Sequence, residues 1–396
     1  MTNTRRGITR SSALRFVVLL GAVSLFSDMT YEGARSSTGP FLALLGASGA
    51  VVGIFAGLGE LLGYGLRLVS GWFTDRSHRY WEMAIAGYLV NILAVPALAL
   101  AGSWQAAVAL MMLERTGKAV RKPARDAMLS HAGQQMGAGW AFGLHEALDQ
   151  TGALLGPLIL VAVLAAHGSY RTGFAILLAP AICTIVLLLV ARRQYPRPAE
   201  LEVAVPALRR QTQTRSFWLY LAAAALVAAG YSDFSLIAYH LAKSAVVPAP
   251  WIPALYALAM GVSAPSALLI GRWLDRAGLV ALMVATLITA AFAPLVFLGG
   301  AALAAVGMAV WGFGMGVQDS ALRAVVAGMA PPERRASAYG LFDTGYGVAW
   351  FAGSALMGVL YDRSLGALVA FSVIAQVAAL PVLILVRRST AARHAA

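Results

Sequence analysis

The chain has a single cysteine, Cys183, in 396 residues. That excludes an internal disulfide and most thiolate metal sites. Charge is scarce as well, with 12% of residues Asp, Glu, Lys or Arg, where soluble domains carry roughly a quarter. Acids are the scarcer sign, 17 against 30 bases. A nucleotide loop is missing: Gly117-Lys118 is followed by Ala119, and Met112 stands where such a loop needs its first glycine. ATP therefore does not drive this protein. His-Glu-x-x-Asp at His145, Glu146 and Asp149 lacks the second histidine of a zinc protease helix, so no enzyme, metal centre or cofactor is expected.

What the chain has is oil. Hydrophobic residues make up 60% of it and mean hydropathy is +0.74, more than any water-soluble core needs. At roughly 20 apolar residues per crossing, the length allows about twelve membrane helices. Runs bounded by charge, Gly or Pro place them near 14–43, 49–73, 80–101, 104–126, 138–166 and 170–192, then 216–243, 250–273, 278–299, 301–328, 336–362 and 366–387. The polar, Pro-containing stretch 196–215 is too hydrophilic to span and reads as a linker between residues 1–195 and 216–396.

Basic residues fall on alternate connections: Arg5, Arg6 and Arg10, then Arg76 and Arg79, Arg121 to Arg125, the linker, Arg276, Arg334 with Arg335, and Arg387 with Arg388. The opposite connections hold few, chiefly His167, Arg171 and Lys243. Lys and Arg in short loops stay on the cytoplasmic side, which places both termini there. The net charge of +13 follows from this sorting and from anionic headgroups, so no nucleic-acid partner is implied.

Two copies of one short pattern lie 200 residues apart, Gly71-Trp-Phe-Thr-Asp75-Arg76 and Gly271-Arg-Trp-Leu-Asp275-Arg276. At an offset of 197, Gly143-Leu-His-Glu146 matches Gly340-Leu-Phe-Asp343, Gly156 falls on Gly353, and Gly117 on Gly314. In the first and seventh helices Asp28 pairs with Asp233 and Arg35 with His240. Repeats of this kind mean two halves of one fold, with pseudo-equivalent acids meeting at a central cavity.

These features resemble the major facilitator superfamily of secondary transporters: six plus six spans, a basic central linker, and Gly71-x-x-x-Asp75-Arg76-x-x-Arg79 between helices two and three. Gly271-x-x-x-Asp275-Arg276 is similar to a degenerate copy of that loop. Gly152-x-x-x-Gly156-Pro157 looks like part of the pattern found in the family's antiporters, without its closing glycine pair. The resemblance implies an all-α integral membrane protein of two pseudo-symmetric six-helix bundles. It also implies that the loop charges latch the outward-open state, with Arg125 as candidate partner of Asp75.

Ionisable groups inside spans are costly and usually face water or one another. Asp28, Tyr31, Glu32 and Arg35 share one face of helix one; Glu60, Tyr64 and Arg67 share one of helix two, with a link from Glu60 to Arg67. Glu114 and Lys118 are spaced to pair directly, and Arg121, Lys122 and Arg125 read as a cytoplasmic cluster. His145, Glu146 and Asp149 polarise helix five, Asp233 and His240 helix seven, Asp319 helix ten and Asp343 helix eleven. Trp311, Trp350 and Phe342 stand beside these acids. Taken together they predict a monomeric, proton-coupled transporter of the bacterial inner membrane working by alternating access. Acids outnumber bases at mid-depth, which points to export of a small amphipathic or cationic compound. Uptake or exchange of a small organic or inorganic anion, with Lys118, Arg35 and Arg115 as ligands, or of a divalent metal, is the rival, and a non-transporting receptor or scaffold a third reading.

Overall fold

The computed structural model describes residues 10–77, 79–136, 138–196, 215–329 and 335–395. Within them, the side chains at 10, 68, 75, 130–143, 275, 319–321, 323, 324, 327, 328, 335–339 and 390–395 are outside the description. Asp75, Asp275, Asp319 and nearly all of the linker 196–215 thus lie outside the described residues. The helices run α1 (Arg10–Leu44), α2 (Gly49–Ser77), α3 (Tyr80–Ala97), α4 (Trp104–Met136), α5 (Ala138–Ala165), α6 (Tyr170–Ile176) and α7 (Leu178–Gln194). They continue as α8 (Arg215–Gly230), α9 (Phe234–Lys243), α10 (Trp251–Ala277), α11 (Leu279–Thr289), α12 (Phe292–Phe297), α13 (Ala301–Met329), α14 (Arg335–Arg363) and α15 (Leu365–Ala395).

Three pairs, α6 with α7, α8 with α9 and α11 with α12, are interrupted single crossings, so the helices make twelve spans in two pseudo-symmetric bundles. Among the described residues, ten are long and apolar enough to cross a bilayer by composition alone; α4, laden with charge, and α14 complete the set. Two interruptions sit just ahead of Pro180 and Pro294, whose missing N–H groups break the ladder to Ile176 and Ala290. The third departs from the continuous helix expected over 216–243. Asp233 turns its side chain onto the backbone, accepting from Ser235 N–H at 2.8 Å, and so caps α9. The freed carbonyls are taken up: Gly230 O accepts from Ser372 and Gln376, and Ser232 O from the Trp311 indole. A break at membrane depth is tolerated on that condition.

Glycines set the packing inside each bundle and repeat between them. A Cβ at Gly156 would collide with the α1 backbone at Met29 and Gly33, and one at Gly353 with the α8 backbone at Ala229. Gly117 lies against Asn91 and Gly87 of α3, while its counterpart Gly314 lies against Thr289 and Tyr231. Close backbone approach through small residues is how membrane helices associate without a hydrophobic drive.

Among the described residues the bundles pack backbone to backbone at the end of the arginine-poor loop Leu45–Ser48. There α2 meets α14 through Gly53, Gly57 and Gly358, and Asp362 accepts from the N–H groups of Gly49 and Ala50 at 2.9 and 2.7 Å. Alongside, α1 meets α9 through Gly39, and Tyr239 donates to Ala47 O at 2.9 Å. Toward the end carrying Arg76, Arg79 and Arg276, a Cβ at Gly63, Gly65, Gly261 or Gly271 would meet nothing within 4 Å. A cavity of about 1030 Å³ separates the bundles there.

Candidate functional site: a charged cavity between the bundles

The wall from the first bundle is built by α1, α2, α4 and α5. The i, i+3, i+4, i+7 spacing on α1 brings Asp28, Tyr31, Glu32 and Arg35 to the cavity as the pattern implied. On α4 the helical run of charge continues well past the expected end at 126, so Arg115, Lys118, Lys122 and Arg125 line the cavity too. Arg121 is no loop charge: 1% exposed, it lies 3.5 Å from Asp28 and over the Tyr88 ring.

These charges form one chain of pairs. Arg35 is its hub, 3.9 Å from Glu32, 3.3 Å from Glu60 and 3.0 Å from Asp233 of the second bundle. Glu32 also accepts from Tyr256 of α10 at 2.5 Å, a second tie between bundles. Glu60 lies 3.1 Å from Arg115, which lies 3.5 Å from Glu114. Asn91 donates to Glu114 at 2.8 Å. Nearer the open end, Arg125 pairs with Asp126 at 2.9 Å and Asp149 at 3.7 Å and donates to Ser24, which is 2.8 Å from His145.

Several expectations are corrected by this network. Glu60 does not link to Arg67, because Arg35 and Arg115 reach it from α1 and α4; Arg67 lies over the Tyr64 ring instead. Glu114 does not pair with Lys118. Arg115 and Asn91 claim the carboxylate, and Lys118 donates to the Tyr31 hydroxyl while lying 3.7 Å from that ring. Arg125 faces Asp126, Asp149 and Ser24, while the side chain of Asp75, its expected partner, lies outside the described residues. Asp233 serves as a cap and inter-bundle partner, so the register that equated it with Asp28 does not give equivalent roles. His240 is outside the cavity, held by Tyr361 and Ser244 at 3.2 and 3.3 Å beside Phe297. Trp311 is fully buried in the core against Tyr231. Of the latch residues, Gly71 lies beside Pro123 of α4, Arg76 covers Trp72, and Arg79 and Arg276 are exposed.

Glu146 and Asp343 do both line the cavity, as their repeat implied, with Gln150 donating to Glu146 at 3.0 Å. The wall from the second bundle is otherwise uncharged among the described residues. Tyr256, Met260, Met315, Phe342, Tyr346 and Trp350 dominate it, with Tyr346 donating to Gln318. Tyr256 had no signal in the sequence, being one aromatic in an apolar helix. Arg121 could have been found by extending the charged spacing of α4 inward.

The Major Facilitator Superfamily model matches residues 18–354 and 235–395. The chain belongs to that superfamily. As a member, it is an integral membrane transporter of a small molecule and not an enzyme. It is 42% identical over 393 residues to an uncharacterized protein of Mycobacterium tuberculosis, covering 97% of this chain and 96% of that one. An uncharacterized MFS-type transporter of Methanocaldococcus jannaschii is 31% identical over 140 residues, 35% of each chain. Superfamily structures share the fold at low identity. The nucleoside transporter NupG superposes with a TM-score of 0.74 at 13% identity, covering 93% of this chain and 98% of that one. A bacterial Spinster homologue in an inward-facing conformation gives 0.72 at 15%, covering 94% and 95%. A variant of the peptide transporter POT in complex with sulfate gives 0.75 at 16%, covering 95% and 94%.

Proposed function

We propose that this transporter carries a small organic anion, by uptake or exchange coupled to protons, and that the conformation described is its cytoplasm-open state. The observation that carries the reading is which charges are already paired. Asp28, Glu32, Glu60, Glu114, Asp126, Asp149 and Asp233 each face an arginine. A cationic substrate would have to displace one of these arginines or be held at Glu146 and Asp343, two further acids lining the cavity, so the surplus of acids that favoured cation export loses most of its force. Lys118, by contrast, has no carboxylate within 4 Å among the described residues. A half-buried ammonium whose near partners are a phenol and a ring, with Glu32 and Asp28 attracting it from farther off, gains from an incoming anion.

Orientation rests on arginine sorting: the cavity opens toward the arginine-rich end, which the positive-inside rule assigns to the cytoplasm along with both termini. In a bacterium that membrane is the inner one. Rocking of residues 1–195 against 216–396 would close the open end and part the glycine contacts at the other. Proton coupling has candidates in Asp28 and Asp149, two carboxyls that both line the cavity.

The test is thermal unfolding of the purified protein in detergent, since a ligand that binds only the folded state raises the melting temperature. Acetate, benzoate and sulfate are titrated against tetraethylammonium. Anions should stabilise the parent, with affinity at least about tenfold weaker in Lys118→Ala and partly kept in Lys118→Arg. Stabilisation by the cation, indifferent to Lys118→Ala, overturns the proposal.

A further inference from the structure

We infer that the substrate is an amphipathic anion, a carboxylate or similar acid group on an aromatic or branched apolar body, bound across the cavity with its head on the first bundle and its body on the second. This rests on the anion reading above and goes further, because that reading concerns one lysine and says nothing of the rest of the space. Three observations on different residues converge on it.

The first is volume. A cavity of about 1030 Å³ matches the upper range of organic ligand sites, roughly 300–1000 Å³. An inorganic anion on Lys118 would fill a small part of it. The second is the division of the walls. Charges line the α1, α2, α4 and α5 side, whereas Met260, Met315, Phe342, Tyr346 and Trp350 form the facing side. Phe342 stacks on Tyr346 at 5.9 Å and Tyr346 meets Trp350 at 5.8 Å. Such a surface takes a ring or a branched chain by area and by edge contacts. Beside its aromatic residues, its polar side chains are few among the described residues, Asp343, Ser263 and Gln318, and none of them is a cation that would hold a compact anion.

The third is the place of the cation that no carboxylate meets within 4 Å among the described residues. Lys118 lines the cavity itself, on the charged wall, so an acid group seated on it leaves the rest of the ligand to extend across the space toward the apolar wall.

The experiment compares matched probes on the full chain in detergent, by melting temperature and by quenching of tryptophan fluorescence: 2-naphthoate, acetate, 2-naphthalenemethanol and 1-naphthylmethylammonium. Expected is binding of 2-naphthoate at least about tenfold tighter than acetate, from the apolar area added. Lys118→Ala should weaken both acids, and Met260→Ala should weaken 2-naphthoate by about fivefold or more while leaving acetate unchanged. Trp350→Phe, which keeps an aromatic ring but narrows the apolar wall, should weaken 2-naphthoate less than Met260→Ala does and leave acetate unchanged. If both acids bind equally and both need Lys118, the anion reading stands and the amphipathic inference fails. If the alcohol binds as well as the acid, the head contact is wrong and both fail. Binding of the ammonium alone, or of no probe at millimolar concentration, also overturns both. Met260→Ala eluting as the parent does from size exclusion separates a local effect from unfolding.

Discussion

The two walls of the cavity come from halves that repeat the same packing, yet one is a lattice of ion pairs and the other a sheet of methionines and rings. Gly156 and Gly353 do the same job in the two halves, each against a facing backbone, while Gly117 meets the α3 backbone and its counterpart Gly314 the Thr289 and Tyr231 side chains. The lining does not repeat: Asp28 pairs with Arg121 at the cavity, whereas Asp233 caps a broken helix. Duplication has kept what holds helices together and let go of what touches the substrate. Packing glycines are constrained by backbone on both sides, and a lining residue by whatever enters the space.

The comparison breaks hardest at Arg35. Arg35→Met leaves Glu32, Glu60 and Asp233 short of their shared cation, and removing one partner from a buried network costs about 3 kcal/mol or more. A large fall in melting temperature and folded yield is expected. Lys118→Met orphans no carboxylate within 4 Å and should stay within about 1 kcal/mol of the parent. Equal losses in the two variants would erase the distinction between the committed charges and the available one.

The second expectation sharpens the packing side. Gly156→Val and Gly353→Val each drive a side chain into a facing backbone, and overpacking of this kind costs about 1–3 kcal/mol. The two should lose similar melting temperature, because the contacts are equivalent; one harmless and one ruinous change would mean the halves differ in packing as well as in lining. The smallest effect is expected at Tyr256→Phe, which removes one hydrogen bond to Glu32 between the bundles. A loss of about 1.5 kcal/mol moves the balance of conformations roughly tenfold. The labelling rate of a cysteine placed at Ala50, in a Cys183→Ser background, should rise accordingly.

Most of the architecture was legible because its causes are local. Apolar runs of bilayer length give the spans, and the 3.6-residue period puts Asp28, Tyr31, Glu32 and Arg35 on one face. Partners across the chain were not. Arg35 and Asp233 are 198 residues apart, and nothing in either helix says which of several arginines a carboxylate will meet. Glu60 pairs away from its own helix for the same reason, since α1 and α4 offered Arg35 and Arg115, whereas Glu114 is held by Arg115 of its own helix and by Asn91 of α3. The break before α9 escaped notice because an aspartate reads alike whether it faces a cavity or caps a helix end. Arg121 reads as part of a cytoplasmic charge cluster even within a helix expected over 104–126, because a run of charge looks the same whether it faces the cytoplasm or lies buried against Asp28 and Tyr88.

The grip at the arginine-poor end is made largely of glycine against backbone, at Gly39, Gly53, Gly57 and Gly358. Contacts between bare backbones rely on dispersion, which loses a quarter to a half of its strength over a gap of about 0.5–1 Å. No long side chain bridges Gly53 to Gly358 and stretches as they part. The attraction therefore lets go early, and a slightly opened gate keeps little of what held it shut while having gained little from water. Partly open widths are poor places to rest, so this end should snap between shut and parted with few stops between, a detent cut into the helix surfaces themselves.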